Sequence, residues 1–268
     1  MTACQPGRPS TVARVVPRPF AGWAGRPRAV LLGSGRGRRS DSESPKALAT
    51  ARDADLIEAF ARRLATFGSR GRLSVVEWGA GRSTLWYPEH LRLHGVDVTW
   101  ISVEHDREYV QRTFTEEACS ARRIDVVRAE DLSSPADAVE PGRTRVVTFD
   151  KGEVFPWADG REQDRLVEMD DYVAFPAQLG VVFDLAFVDG RKRRRCLLEA
   201  ASITGPAGHT LLHDAWRSYY RCAWAAFASH RLIGDALWVG SQRETDFTDV
   251  LASDAFRRHI RGGARRRR

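Results

Sequence analysis

Five acids close five successive apolar runs in this chain: Glu77, Glu104, Glu130, Asp189 and Asp214. A histidine, His213, precedes the last of them. Carboxylates at one rim of a sheet can bind hydroxyls, hold a cation or orient a base. Imidazole titrates near neutrality and can take a proton from a weak nucleophile. Any one of these acids alone reads as a turn or cap residue; five in register describe a polar site.

The elements that bring them together follow from periodicity. "ADLIEAFARRLATFG" places Leu56, Ile57, Phe60, Leu64 and Phe67 at helical spacing, with Gly68 to end the helix. "LSVVEW" and "VDVTWISVEH" read as strands, and so do "RIDVVRAED", "VVFDLAFVDG", "GPAGHTLLHD" and "DALWVGSQ". Helices are expected between them: "STLWYPEHLRLHG", where Pro88 predicts a kink or restart, then "DREYVQRTFTEEA", "REQDRLVEMDDYVAF", "RKRRRCLLEAASI" and "RSYYRCAWAAFASH". Alternating strands and helices predict an α/β fold, a Rossmann-like doubly wound and mainly parallel sheet. Ligands in such sheets sit beyond the carboxyl ends of the strands, where the strand order reverses.

The turn after the first strand is Gly79-Ala80-Gly81-Arg82-Ser83-Thr84. Its two glycines permit a tight bend and close approach of a ligand. Thr84 stands where a dinucleotide fingerprint has its third glycine. Glu77, two residues ahead, is expected to repel a pyrophosphate and attract a cation, each by roughly 4 kcal/mol at 4 Å and an effective dielectric of 20. S-adenosylmethionine carries a sulfonium and an ammonium and no phosphate, so the turn favours it over NAD. Glu104 ends the second strand at the place of a ribose-binding acid. Either Glu130 or Asp131 is placed for the adenine edge.

"VVEWGAGRS", "ISVEHD", "VVRAED", "FDLAFVDG" and "GPAGHTLLHD" occur in the order found in class I S-adenosylmethionine-dependent methyltransferases, which residues 53–242 resemble. The resemblance implies a seven-stranded sheet with one antiparallel strand near an edge. It implies cofactor contacts at Glu77, Gly79, Gly81, Glu104 and the acids 130–131, and Ser83 and His105 join that set. The block from "VDGRKRRRC" to "LLHDAWRSYY" is more loosely similar to glycan O-methyltransferases. For methyl transfer to a hydroxyl, Asp189, His213 and Asp214 are the catalytic candidates. Three readings stand side by side. Asp189 and Asp214 hold a divalent cation such as magnesium, as in cation-dependent relatives; or His213 acts as a metal-free base; or His213 is a packed residue and Asp214 a helix cap. Arg191, with Arg193, is a candidate for an acidic acceptor, and Trp216, Tyr219 and Tyr220 for stacking on a sugar ring. Residues 133–180, with Phe155, Trp157 and Tyr172, are a candidate acceptor lid.

Charge sets further limits. The net charge of +7 comes from the ends: eight arginines and no acid in residues 1–40, and seven arginines and no acid in residues 257–268. The middle holds 27 basic and 35 acidic residues, a net of −8. A specific nucleic-acid enzyme needs its basic surface on the folded domain, and no "PPY"-type motif follows the fourth strand. Residues 1–46 and 257–268 read as disordered basic tails around a methyltransferase domain at 47–256. The first tail is compatible with a transit peptide and reads better as plain disorder or a misassigned start; a cytoplasmic location is expected, and no run is long enough to span a membrane. Cys4, Cys119, Cys196 and Cys222 show no CxxC spacing and read as free thiols. The rival functions are an NAD(P)-dependent oxidoreductase on a similar sheet and a non-catalytic protein holding polyanions through its tails. The expected partner is a small-molecule or glycan acceptor.

Overall fold

The computed structural model describes residues 50–67, 71–150 and 166–248. The expected tails, with Phe155 and Trp157, lie outside these residues. Helix α1 (Ala51–Phe67) leads into β1 (Arg72–Trp78), α2 (Arg82–Leu93), β2 (Asp97–Glu104), α3 (Arg107–Thr113), α4 (Glu116–Arg122) and β3 (Ile124–Arg128). Then come β4 (Thr144–Thr148), α5 (Asp170–Ala174), β5 (Phe183–Val188), α6 (Arg193–Ile203) and β6 (Thr204–Leu212). Tight 3-10 turns over Ser218–Ala226 precede β7 (Ser229–Leu232) and β8 (Trp238–Ser241). Among the described residues no helix is long and apolar enough to cross a membrane.

The sheet runs β3-β4-β2-β1-β5-β6-β8-β7. Its first six strands are parallel neighbours, and β8 runs antiparallel between β6 and β7. The fold is thus the Rossmann-like α/β sheet expected, with eight strands rather than seven. Two of the eight lie outside the six runs that read as strands: β4 takes the place beside β2 and leaves β3 at the edge, and β7 begins within "RSYYRCAWAAFASH", the run expected to be helical. "TRVVT" is β-branched, and its Val146 and Val147 are fully buried, as a strand paired on both sides and covered on both faces requires.

Successive residues of the central strands pack into opposite layers. Val75, Val98, Trp100, Leu185 and Phe187 meet α1 and α2 through Leu56, Ile57, Phe60, Tyr87 and Leu91. Val76, Ile101, Val103, Ala186 and Val188 meet α5 and α6 through Tyr172, Val173, Cys196, Leu197 and Ala200. Helix α2 stays continuous across buried Pro88 and ends at Leu93, before Gly95 at φ 80°. The second expected helix divides in two, because Asp106 and Thr115 each cap a separate start.

The sequence reverses its walk across the sheet between β1 and β5, and the backbones meet there. Gly79 has φ 100°, and a Cβ on it would lie 2.5 Å from the Gly190 Cα. Asp189 N–H donates to the Trp78 carbonyl at 2.9 Å, and His213 N–H to Val188 at 3.1 Å. Strand pairing therefore continues past the strand ends and fixes their spacing.

Helix α1 reaches across the sheet to the far edge. Asp53 is fully buried, and its carboxylate accepts the N–H groups of Asp235 (2.8 Å) and Ala236 (3.0 Å) in the β7–β8 turn. Burial raises its pKa, and the two backbone bonds only partly offset that. Asp53→Ala leaves two amides without partners; the expected loss is about 2–4 kcal/mol, read from urea unfolding midpoints at fixed pH.

Candidate functional site

Beyond the ends of β1, β2, β5 and β6 lies a cavity of about 410 Å³. Of the expected residues, Gly79, Gly81, Ser83, Glu104, His105, Asp189, Arg191 and His213 line it. Glu77, Glu130, Asp131, Asp214, Trp216 and Tyr219 do not.

Glu77 corrects the charge-matching expectation. It is fully buried beneath the turn, and four neutral donors surround it. Ser83 Oγ donates to Oε1 in a very short contact; Thr84 Oγ1 (2.6 Å), Ser102 Oγ (2.6 Å) and Trp100 Nε1 (2.9 Å) donate to Oε2. A carboxylate so placed ties the start of α2 to β2 and shows no charge to the cavity. Burial pushes its pKa up from 4.5 to about 7, and the four hydrogen bonds resist the rise. Thr84, which reads in sequence only as a missing glycine, is the second half of this tie: its Oγ1 accepts the Gly81 N–H at 3.0 Å. Gly79 N–H is also spent, on the Val103 carbonyl at 2.9 Å.

Glu104 keeps one face open. Its Oε1 accepts the N–H groups of His105 (2.8 Å) and Asp106 (3.0 Å), and His105 Nδ1 lies 2.6 Å away. Its Oε2 has no hydrogen-bond partner among the described residues. The strand beside it is β4, whose continuation Phe149 donates its N–H to the Glu104 carbonyl at 2.8 Å. Asp150 therefore stands next along that rim. Glu130 and Asp131 follow the edge strand β3 instead, and Glu130 is bound by both Nη2 contacts of Arg107, at 2.5 and 2.7 Å.

Across the cavity, His213 Nδ1 lies 3.0 Å from Asp189 Oδ1. Burial opposes a charge on the ring, but the Asp189 bond and the charges of Asp189 and Asp214 outweigh it and raise the His213 pKa above 6.5. Arg193 holds this end of the sheet together. Its guanidinium donates to the carbonyls of Asp189 (2.6 Å), Gly190 (2.9 Å) and His213 (2.7 Å), and lies 3.0 Å from Asp189 Oδ1 and 3.3 Å from Asp214 Oδ2. Its side chain is only 12% exposed. The expected cation between Asp189 and Asp214 is thus displaced by a fixed internal one. Arg193 was read as an acceptor contact; it is the brace of the site.

Similar solved structures share the fold. No family model matches the chain, and no curated protein matches it. A methyltransferase-like protein from Silicibacter pomeroyi is 20% identical over 78% of this chain and 95% of its own, at a TM-score of 0.47. A sugar N-methyltransferase from Streptoalloteichus is 15% identical over 83% and 100%, at 0.38. A probable spermidine synthase from Corynebacterium glutamicum is 12% identical over 76% and 67%, at 0.44.

Asp214 has left-handed backbone at φ 58° and accepts Trp216 Nε1 (3.3 Å) and Arg217 Nη2 (3.1 Å), so it caps the turn that follows β6. Trp216 is 64% exposed, with Arg217 5.1 Å over its ring. Tyr220 lines the cavity, and Tyr219 reaches it only by donating its hydroxyl to Tyr220 at 2.9 Å. Tyr109, Arg82 and Arg112 also line it, and sequence reasoning missed all three. Tyr109 follows its helix cap Asp106 by three residues, a spacing that sequence does offer. Of the proposed lid, Thr144–Thr148 is a sheet strand and Tyr172 is 1% exposed in the core. Residues 151–165 of it lie outside the described residues.

The buried Glu77 gives a pH test. Its folded pKa is raised, so its stabilising contribution is full below pH 4.5 and is lost as pH climbs through about 7. The separation corresponds to about 3 kcal/mol. Glu77→Gln keeps an acceptor for Thr84, Trp100 and Ser102 and adds a donor for Ser83. Relative to this variant, the natural protein should lose up to that amount between pH 4 and 8, measured by urea midpoints.

Proposed function

We propose that this protein is a methyltransferase that uses S-adenosylmethionine to methylate an oxygen of a small molecule or glycan. The observation that carries the reading is that the half-open Glu104 carboxylate and the Asp189-oriented His213 face one cavity across the glycine turn. The turn favours a ligand without phosphates, because the Gly79 and Gly81 N–H groups are already spent inside the protein. A dinucleotide site needs such groups free for the pyrophosphate.

The residues fit the cofactor. Glu104 Oε2 is an acceptor for ribose hydroxyls. Gly81 lets the Tyr109 hydroxyl close on the turn at the cavity wall, since a Cβ there would lie 2.9 Å from it. Arg82 and Arg112 carry the charge that the methionine carboxylate calls for. When bound, S-adenosylmethionine supplies an activated methyl group on sulfur.

The protein's part is to place the acceptor and take its proton. Asp189 fixes the His213 ring by Nδ1, which directs Nε2 into the cavity as the proton acceptor. Asp189 also favours the imidazolium that results. Arg193 prevents either strand end from shifting, so the base and Glu104 keep their separation. Tyr220 and Arg191 border the space left for the acceptor.

Three measurements test the reading. Calorimetry should show S-adenosylmethionine and its demethylated product binding to the natural protein, with about tenfold or greater weakening in Glu104→Ala, the value of one or two hydrogen bonds to a charged group. No heat with either compound, and binding of NAD instead, removes the proposal. NMR titration should give a His213 pKa above 6.5 in the natural protein and a lower value in Asp189→Asn, where burial is no longer outweighed. With an accepted hydroxyl substrate, methyl transfer should rise with pH through that higher value and fall by roughly 100- to 10,000-fold in His213→Ala.

A further inference from the structure

A second cluster lies away from the cavity, where α1 packs on the far end of α2. Glu58 projects from α1. His90 and His94 stand four residues apart at the end of α2, on one helix face. The ligand atoms of all three lie within 4.8 Å of one another, and His90 Nε2 is 3.1 Å from Glu58 Oε1. The His90 and His94 ring centroids are 4.6 Å apart, and Trp86 stacks on His90 at 5.5 Å and 16°. His90 is nine residues beyond Gly81, about 13 Å along the helix at ~1.5 Å per residue.

We propose that Glu58, His90 and His94 form a binding site for a borderline divalent transition metal, zinc in the first instance, which fastens α1 to α2. Two imidazoles and a carboxylate suit zinc and disfavour magnesium, which takes oxygen ligands. Three protein ligands leave a fourth position for water. Stacking on Trp86 already orients the His90 ring, and His94 is exposed and free to swing inward.

A cation already marks the position. Arg62 Nη2 lies 2.6 Å from Glu58 Oε1 and 3.3 Å from His90 Nε2. Unlike Arg193, it is held among the described residues only through Nη2, and its side chain is 41% exposed. An ion pair of that exposure contributes little, so the guanidinium can give way to a doubly charged ion. The consequence reaches the cavity, because α1 also carries Asp53, the anchor of the β7–β8 turn, and Ile57, which lines the cavity.

The test is calorimetric titration of the full chain, stripped with chelator, with zinc chloride. One site per chain is expected, undisturbed by excess magnesium. His94→Ala and Glu58→Gln should weaken it by at least the roughly 10- to 100-fold that loss of an outer-shell partner costs. Arg62→Ala should tighten it, a direction that a simple ion-pair cluster would not produce. Zinc should also raise the Tm of the natural protein and leave that of His94→Ala unchanged. His94 is exposed, so its replacement leaves folding intact, which circular dichroism checks. Absence of zinc uptake by the natural chain overturns the proposal, and so does uptake that His94→Ala leaves unaltered, as thiol ligation elsewhere would give. Neither result depends on methyl transfer.

Discussion

A carboxylate without access to water must be neutralised or surrounded by donors, and Glu77 is surrounded. Ser83 and Thr84 come from the first turn of α2, and Trp100 and Ser102 from β2. One side chain therefore sets how α2 leaves β1 and how β2 lies beside it. The turn between them has little freedom left. That rigidity is what allows Gly79 to meet Gly190 backbone to backbone, where any side chain would collide. The cavity floor follows from this packing, since the ends of β1 and β5 are both held at the contact. The cost is a buried acid whose pKa sits near neutrality. An apolar residue at 77 would avoid that cost but would take from Ser83, Thr84, Trp100 and Ser102 the acceptor they share.

Arg193 does for β5 and β6 what Glu77 does for β1 and β2. Its five contacts include three carbonyls that the sheet ladder leaves open at the strand ends. Together with Arg217 on Asp214, it balances Asp189 and Asp214, so the region carries two acids without an excess of negative charge. This balance decides which chemistry is available. Carboxylates neutralised by a fixed guanidinium are poor ligands for a divalent ion, yet Asp189 still has an oxygen for the His213 ring. Arg62 differs: it meets its acid through Nη2, on a side chain that is 41% exposed.

The fold was legible in the sequence because buried parallel strands are apolar on both faces, and short runs such as "LSVVEW" and "FDLAFV" have few other uses. The strand β4 was legible only in part, because "VVTFDKGEVFPWADG" suggests strands or a lid in a span with weak periodicity. Its insertion beside β2 moved the rim position from Glu130 and Asp131 to Asp150. The acids at strand ends were equally visible, but their direction was not. Glu77 is the last residue but one of β1 and pairs with Ser102, whereas Glu104 is the last of β2, two places further along; one points back into donors and the other opens on the cavity. That difference depends on Thr84, Ser102 and Trp100, which come together only in three dimensions. In "RKRRRC" five cations look alike, and the helix start at Arg193 turns that one onto the carbonyls of the strand ends. Tyr219 and Tyr220 are adjacent, and the 3-10 geometry around them, rather than the expected α-helix, chooses which ring faces the cavity.

Helix α1 shows how the remaining constraints join. It precedes every strand, yet it binds the β7–β8 turn near the other end of the described chain. Asp53 fills the space beside Gly234, where a Cβ would lie 1.8 Å from its carboxylate oxygen. Arg52 adds contacts to Asp235 and the Ile233 carbonyl, both 3.3 Å. The antiparallel edge is thus fastened from above rather than by long pairing of its own, since β7 and β8 have only four residues each. One turn further along α1, Ile57 reaches the cavity and Glu58 reaches α2. A displacement of this helix would loosen the edge and open the cavity wall together. Whatever fixes α1 therefore acts on the site without touching a ligand there, and the contacts of Glu58 at the α2 end are placed to do so.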